Sequence, residues 1–216
     1  MDRARGWLDW RRDTRRETAK IARKLRMRLD LTAESRVLID LKATGLLRAV
    51  AHDPTLTARP EPWSTEAADG PEIDVPIQLR FLASAIEPPS DMGAADRDKM
   101  RENMCGRDVL DAARFPVIEL RARYVGTLES GRLAGDLLIR GAPRPVALAV
   151  NGASTPSNAG VLEKVPHGIS QTVELRAEWE GRLTGLGVRP YKALLGALRL
   201  EDWIRLRVEG RVVVVR

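Results

Sequence analysis

Residues 25–31 read LRMRLDL, and this stretch decides the fold class. Apolar residues alternate along it with charged residues, which is the period of two expected of a β-strand with one buried face and one solvated face. Residues 37–42 (VLIDLK) resume the alternation after a short turn at residues 32–35. The two segments therefore predict antiparallel strands joined as a hairpin.

The same alternation returns along the rest of the chain. It marks residues 73–83, 117–124, 133–140, 146–151, 173–179 and 198–215, with turns rich in Gly and Pro between them. We expect the last segment to form two strands, because Glu201, Asp202 and Gly210 interrupt it. Together the segments predict about eight to ten strands in a mainly β, antiparallel sandwich or barrel.

Two stretches depart from this rhythm. Residues 94–104 place two methionines among charged residues, with acidic residues near the start, and they predict a short helix that ends near Gly106. Residues 56–74 contain Pro60, Pro62 and Pro71, and they predict a long, Pro-rich excursion.

The basic charge of the protein is confined to its N-terminal segment. Residues 1–31 hold 11 Lys and Arg against five Asp and Glu, and the remaining 25 basic and 25 acidic residues cancel. The body therefore lacks the excess positive charge of a nucleic-acid-binding surface. One Cys and two His also exclude an intramolecular disulfide and a zinc site made of four His and Cys ligands.

Residues 1–24 predict a basic helical arm ahead of a β-domain at residues 25–216. One role left open for the arm is packing on its own domain or on a second copy, which would form a homodimer. Another is contact with an anionic membrane surface, with Trp7 and Trp10 as interfacial anchors. Acidic residues mixed through the arm argue against nucleic-acid binding. The arm lacks an apolar signal-peptide core and the sequence lacks an apolar run long enough for a bilayer, so we expect a cytoplasmic protein.

Few side chains suggest catalysis. His52 and Asp53 are adjacent, but a structural hydrogen bond near a strand end explains the pair better than a metal site or a general base. His167 falls in a loop, and Cys105 follows the predicted helix without a partnered histidine. The sequence has no nucleophile elbow, P-loop or dinucleotide-binding glycine pattern. We therefore expect no enzyme activity, no metal and no cofactor.

Residues 109–118 (VLDAARFPVI) resemble the LDA and FP motifs of YceI-like proteins, and three further segments are similar to motifs of the same family. Residues 135–146 (GDLLIRGAPRPV) are similar to its strand-turn-strand motif, with Arg140 where the family usually has His. Residues 186–202 (LGVRPYKALLGALRLED) are similar to the approach to its last strands, and residues 44–53 (TGLLRAVAHD) resemble the His-Asp segment of one branch.

This resemblance implies an eight-stranded, lipocalin-like antiparallel β-barrel whose elongated apolar cavity holds a polyisoprenoid or a similar amphiphilic lipid. No catalytic residue is needed to hold such a ligand. The alternating apolar residues predicted to line the cavity are Met27, Leu29, Ile39, Leu41, Ile77, Leu79, Phe81, Ile118, Leu120, Leu148, Leu175, Trp179 and Leu206.

A rival hypothesis is an interaction module whose barrel is filled by its own side chains. Such a protein would dock a partner, or pair two copies, through the arm. A barrel of about eight strands is wide enough for either packed side chains or one slender ligand. The alternating pattern leaves both hypotheses open, because a filled core and a lined cavity place apolar residues at the same positions.

Overall fold

The computed structural model describes residues 26–44, 53–154, 170–193 and 198–216. These residues form a mainly β, antiparallel fold with one α-helix. The strands are β1 (Arg26–Leu31), β2 (Arg36–Thr44), β3 (Thr55–Ala58), β4 (Trp63–Ala68), β5 (Ile73–Leu82), β6 (Val117–Gly126), β7 (Ser130–Ile139), β8 (Ala142–Ser154), β9 (Ser170–Gly181), β10 (Lys192–Ala193) and β11 (Leu198–Val215). Helix α1 spans Ala94–Cys105 and follows a 3-10 turn at Ala83–Ala85.

All eleven described strands belong to one curled sheet, in which eight follow one another in the order β3-β2-β11-β9-β8-β7-β6-β5. The two ends of this order approach each other. Thr57 of β3 exchanges two backbone hydrogen bonds with Glu87, which follows β5, and the amide of Glu61 donates to the carbonyl oxygen of Arg80 in β5 at 2.8 Å. The sheet therefore curls into a half-barrel, and every second residue of a strand points to its inner face.

Strand β11 organises the N-terminal strands. Residues 199–209 pair with β2 and residues 212–215 pair with β1, while β9 pairs along the opposite edge. Strands β1 and β2 thus lie one after the other along β11, and the predicted hairpin between them is wrong. The turn that joins them is fixed to β11, because the amide of Arg211 donates to Oγ of Ser35 at 2.9 Å and the amide of Thr32 donates to the carbonyl oxygen of Arg211 at 2.8 Å.

The prediction of two strands within residues 198–215 is also wrong. Strand β11 is continuous because its ladder with β2 absorbs a register shift between Leu200 and Ile204. Gly210 does not end the strand either, since it keeps its register with Leu175 of β9.

The Pro-rich excursion contains two strands that the sequence pattern did not predict. Strands β3 and β4 are short, and Pro60 and Pro62 fall in the connection between them, where a missing amide hydrogen breaks no ladder hydrogen bond. The predicted helix is confirmed as α1, and the amide of Gly106 donates to the carbonyl oxygen of Asn103 at its C-terminal end.

The predicted arm of residues 1–24 lies outside the described residues, as do His52 and His167. The predicted helix, its two open roles and its boundary with the β-domain therefore stay predictions.

Buried apolar side chains form two separate clusters at opposite ends of the strands. The first cluster joins the sheet to α1 and to the segment after β9, and it includes Phe81, Met104 and Leu186. The second cluster includes Met27 of β1 and Val173 of β9. The half-barrel thus has two packed ends.

Candidate functional site

The predicted lining residues lie on the inner face of the curled sheet. Five of them are buried, namely Met27, Leu29, Leu41, Phe81 and Leu148. The other eight are half-buried, namely Ile39, Ile77, Leu79, Ile118, Leu120, Leu175, Trp179 and Leu206. The registers bring them together across strands, since Leu79 lies opposite Leu120 and Trp179 lies opposite Leu206. The face of the sheet on which these side chains lie agrees with the sequence pattern. Their contact with a ligand stays a prediction.

Between the two packed ends, the inner face carries apolar side chains that belong to neither cluster. We call this set the central band, and its members are Leu120, Ala122, Leu133, Val146, Leu148, Val150, Ala177 and Val208. Leu133 lies opposite Leu148, and Ala177 lies opposite both Val150 and Val208. Ala122, the inner-face neighbour of Leu120 on β6, lies across Gly135 of β7 from Val146. Val146, Leu148 and Val150 are buried, whereas the other five are only half-buried. The middle of the inner face is therefore apolar surface that the protein itself only partly covers.

Two aromatic rings lie across glycines on this face. A Cβ atom at Gly131 of β7 would lie 2.5 Å from Cζ of Tyr124 on the neighbouring strand β6. A Cβ atom at Gly181 would lie 2.6 Å from Cζ2 of Trp179 on the same strand, β9. The absence of side chains at these two glycines allows each ring to lie close to the backbone.

One charged side chain shares the inner face with these apolar residues. Arg144 of β8 lies opposite Leu137 of β7, and strand alternation gives it the same facing as Leu148. Its guanidinium group packs against Gly187, where an added Cβ would lie 2.6 Å from Nη2. The Nε atom of Arg144 is buried and has no hydrogen-bond partner among the residues that the structure describes. Buried donors without a partner are rare, and each costs about 1–3 kcal/mol.

A pocket of about 360 Å³ opens at the same end of the sheet. We call it the arginine pocket, and it is lined by Arg107, Asp108, Arg140 and Arg189. Arg140 belongs to the two-residue turn between β7 and β8, which closes on the pairing of Ile139 with Ala142. Arg189 follows two residues after the glycine that contacts Arg144.

A second pocket, of about 430 Å³, involves the outer face of β5 and β6. Its lining includes Gln78, Arg80 and Glu119, together with Phe115 and Pro116 of the segment that precedes β6. Neither of the two pockets is lined by any of the predicted cavity residues.

Of the polar candidates from the sequence, Asp53 and Cys105 lie in the part of the chain that the structure describes. Oδ1 of Asp53 accepts a hydrogen bond from the amide of Ala43 at 2.8 Å, which fixes the end of β2. This is the structural role that the sequence suggested for the His52-Asp53 segment. Cys105 is half-buried at the last position of α1. Among the described residues, no group of three or more His, Cys, Asp or Glu is arranged to hold a metal ion.

The outer face is held by cross-strand ion pairs, of which one is more buried than its neighbours. Nε and Nη2 of Arg207 on β11 donate to the two carboxylate oxygens of Asp40 on β2, and Oγ1 of Thr55 donates to Oδ1 of the same carboxylate. The Asp40 side chain is only 17% exposed. Mainly because of its hydrogen bond to Arg207, the pKa of Asp40 lies below its ordinary value of 3.8.

A comparison with protein families finds a match over most of the chain. Residues 32–209 match the YceI-like domain family. The chain belongs to the YceI-like family. Among solved structures, this YceI-like chain is similar to BcnA of Burkholderia cenocepacia, with 13% identity, coverage of 85% of this chain and 98% of that one, and a TM-score of 0.47. It is also similar to a YceI protein of Campylobacter jejuni, with 12% identity, coverage of 72% and 79%, and a TM-score of 0.45. No curated protein matches the chain.

Two further observations complete the description of the YceI-like domain. In the part of the chain that the structure describes, no helix has the length and apolar character needed to cross a membrane. Arg144 was not among the predicted site residues, because Arg144 and Pro145 were assigned to a turn. The alternation that places Val146 and Leu148 on the inner face extends back to residue 144 and was the available signal.

Proposed function

We propose that this YceI-like protein binds a polyisoprenoid or a similar amphiphilic lipid on the inner face of its half-barrel, without catalysis. The observation that carries the proposal is the central band. It is apolar and only partly buried, since three of its members are buried and five are half-buried, and it lies between two clusters that are already packed. A slender apolar chain laid along this band would cover surface that the protein leaves accessible.

The energetics favour such a ligand. Burial of apolar surface releases about 25 cal/mol per Å², or about 0.8 kcal/mol for each buried methylene group. Both the ligand and half-buried side chains such as Leu120 and Leu133 lose contact with water on binding. Affinity would therefore rise with the length of the apolar chain and would need no reactive side chain.

The first experiment is organic extraction of the purified protein followed by mass spectrometry, with a denatured-protein blank. A stoichiometric isoprenoid or fatty amphiphile is the expected result. Clean extracts combined with no uptake of added isoprenoid quinone would reject the proposal and favour the interaction module.

A pair of variants on β6 tests the location. In Leu120→Trp a bulky ring enters the central band, whereas in Val125→Trp the same ring is added on the outer face of the same strand, where Val125 is 40% exposed. Lipid uptake should fall at least about tenfold in Leu120→Trp, which corresponds to about 1.4 kcal/mol. It should be unchanged in Val125→Trp. Equal uptake by both variants, each verified as folded by circular dichroism, would place the lipid elsewhere.

A further inference from the structure

We propose that one end of the half-barrel is a docking surface for an anionic lipid bilayer. We call it the end surface, and its members are Leu82, Arg107, Arg114, Phe115, Arg140 and Arg189. The inference goes beyond the proposed function, because docking on a bilayer requires no lipid on the inner face of the sheet.

Arginines near the turn between β7 and β8 are the first element of the argument. Arg107, Arg140 and Arg189 line the arginine pocket together with one acidic residue, Asp108. Among the described residues, none of these three arginines forms an ion pair with an acidic side chain. The pocket therefore carries positive charge that the protein does not neutralise.

Arginines on the outer face of the sheet provide the contrast. Arg36 pairs with Glu209 at 2.7 Å, and Arg123 pairs with Asp74 at 2.6 Å. A paired charge attracts an anionic surface only weakly, because the carboxylate beside it cancels most of its field. Attraction to a bilayer is therefore concentrated at the end of the half-barrel where the arginines are unpaired.

Exposed apolar residues beside these arginines are the second element. Leu82 is 44% exposed and lies opposite Val117 on the outer face of β5 and β6. Val117 lines the second pocket together with Phe115 and Pro116. Surfaces that lie in the interface of a bilayer combine such residues, since apolar side chains enter the acyl boundary while basic groups meet the lipid phosphates.

Arg114 and the β7–β8 turn join the two parts of the end surface. The guanidinium carbon of Arg114 lies 5.0 Å from the centre of the Phe115 ring. An added Cβ at Gly141 would lie 3.2 Å from Cε1 of the same ring, and Gly141 directly follows Arg140 in the turn. Cationic and apolar groups thus share one area that extends over two pockets, which fits a bilayer better than a small soluble anion.

The backbone of Arg140 is the third element. Arg140 has φ 52° and Gly141 has φ 72°, so both residues of the turn lie in the left-handed region. Two-residue turns of this kind favour Asn-Gly, and an arginine in this conformation is strained. The turn therefore carries a cationic side chain where backbone conformation alone would favour a smaller residue.

Vesicle co-sedimentation of the full chain tests the proposal with two charge-matched double variants. The vesicles contain equal parts of phosphatidylcholine and phosphatidylglycerol. Arg107→Gln/Arg189→Gln removes two exposed arginines from the end surface, and it should lower vesicle affinity about 10- to 30-fold, at about fivefold for each arginine.

Arg132→Gln/Arg176→Gln is the control, because it removes the same net charge from exposed positions elsewhere. Asn151 of β8 lies opposite both Ser130 and Arg176, about 30 Å along the strand from the β7–β8 turn. Arg132 lies on β7 near the same end of the sheet. This variant should lose less than about twofold in vesicle affinity, since both arginines lie far from the docked surface.

A second pair of variants tests the apolar part of the end surface. Leu82 and Val125 are the exposed large hydrophobic residues of the described chain, and Val125 lies at the other end of β6. Leu82→Ser should lower vesicle affinity about three- to tenfold, because a half-exposed leucine no longer enters the interface. Val125→Ser should leave it unchanged. Circular dichroism verifies that each variant is folded.

Several results would overturn the proposal. Unchanged vesicle affinity in Arg107→Gln/Arg189→Gln would leave the predicted arm of residues 1–24 as the membrane contact. Equal losses in the two double variants would mean that net charge alone drives binding. A wild-type dimer that dissociates in Leu82→Ser, detected by light scattering, would assign the end surface to a second copy of the chain. Each of these results leaves the lipid extraction experiment, and with it the proposed function, unaffected.

Discussion

Arg207 and Asp40 form a bidentate ion pair across the outer face of β11 and β2, with Nε–Oδ2 and Nη2–Oδ1 distances of 2.6 and 2.8 Å. The pair connects β2 to the longest strand of the sheet, and Thr55 extends the connection to β3 through a hydrogen bond of 2.8 Å. Three strands are thus joined through one carboxylate.

Asp40→Asn should lower the free energy of unfolding by about 1–3 kcal/mol at neutral pH, because hydrogen bonds to a charged carboxylate whose side chain is only 17% exposed are weakened. The folded-state pKa of Asp40 is lowered, so its ionisation stabilises the folded protein above the ordinary value of 3.8. This contribution is lost as the pH falls through the lowered folded-state pKa. Chemical denaturation of both proteins across this pH range should therefore show a stability difference that shrinks in acid.

Glu66→Gln is the matched control for that measurement. Glu66 pairs with Arg26 at 2.7 Å, but both side chains are more than half exposed. An exposed pair contributes about 0–1 kcal/mol. A loss of stability in Glu66→Gln as large as in Asp40→Asn would mean that shielding from water does not strengthen the Asp40–Arg207 pair.

Arg144→Met should leave the free energy of unfolding unchanged or raise it by up to about 2 kcal/mol, because it removes a buried donor that has no partner among the described residues. Thermal unfolding without lipid measures this effect. A clear loss of stability would mean that the guanidinium group contributes to the fold.

Gly135→Ala should destabilise the protein by about 1–3 kcal/mol. A Cβ at Gly135 on β7 would collide with the carbonyl oxygen of Arg121 and would lie 2.5 Å from Cα of Ala122, both in the neighbouring strand β6. Backbone atoms cannot yield as a side chain can. Gly70→Ala is the control, since a Cβ there meets nothing within 4 Å, and denaturant midpoints of the two variants should differ clearly.

Asp53→Ala should cost about 1 kcal/mol of stability, because the amide of Ala43 loses its acceptor at the end of β2. Asp53→Asn keeps a side-chain oxygen in position and should retain most of the stability. Lipid uptake should be the same in both variants and in the wild type. Loss of uptake in Asp53→Asn at unchanged stability would instead assign this carboxylate to the binding site.

The sequence predicted the features that depend on periodicity within a single strand, namely where the strand lies and which of its residues face inward. The alternation around Ile77 and Leu79 indicated both the strand and its inner face, because one side of that strand is packed and the other is solvated. Strands β3 and β4 were missed because they are short and flank prolines. The β1–β2 hairpin was wrong because the pattern of two consecutive strands carries no information on a third strand, distant in sequence, that pairs with both.

The candidate site was predictable in its apolar part and not in its polar part. The positions of Leu120 and Leu148 on the inner face follow directly from alternation. The central band, in contrast, consists of the inner-face residues that neither cluster includes, and cluster membership is determined by packing in the folded structure. Arg144 stands out because its buried Nε atom has no hydrogen-bond partner among the described residues. This can be recognised only in the folded structure, where the guanidinium group packs against Gly187.

The pairing of β11 with β1 and β2 has a consequence for how the chain reaches its native state. Leu29 lies opposite Val214, so β1 finds this partner only after the strands between β1 and β11 have been synthesised. Contacts between residues so distant in sequence slow folding, because a long loop must close before they form. Until then the edges of β1 and β2 are open to pairing with other chains, and the yield of soluble protein should depend on temperature and chaperone supply during expression.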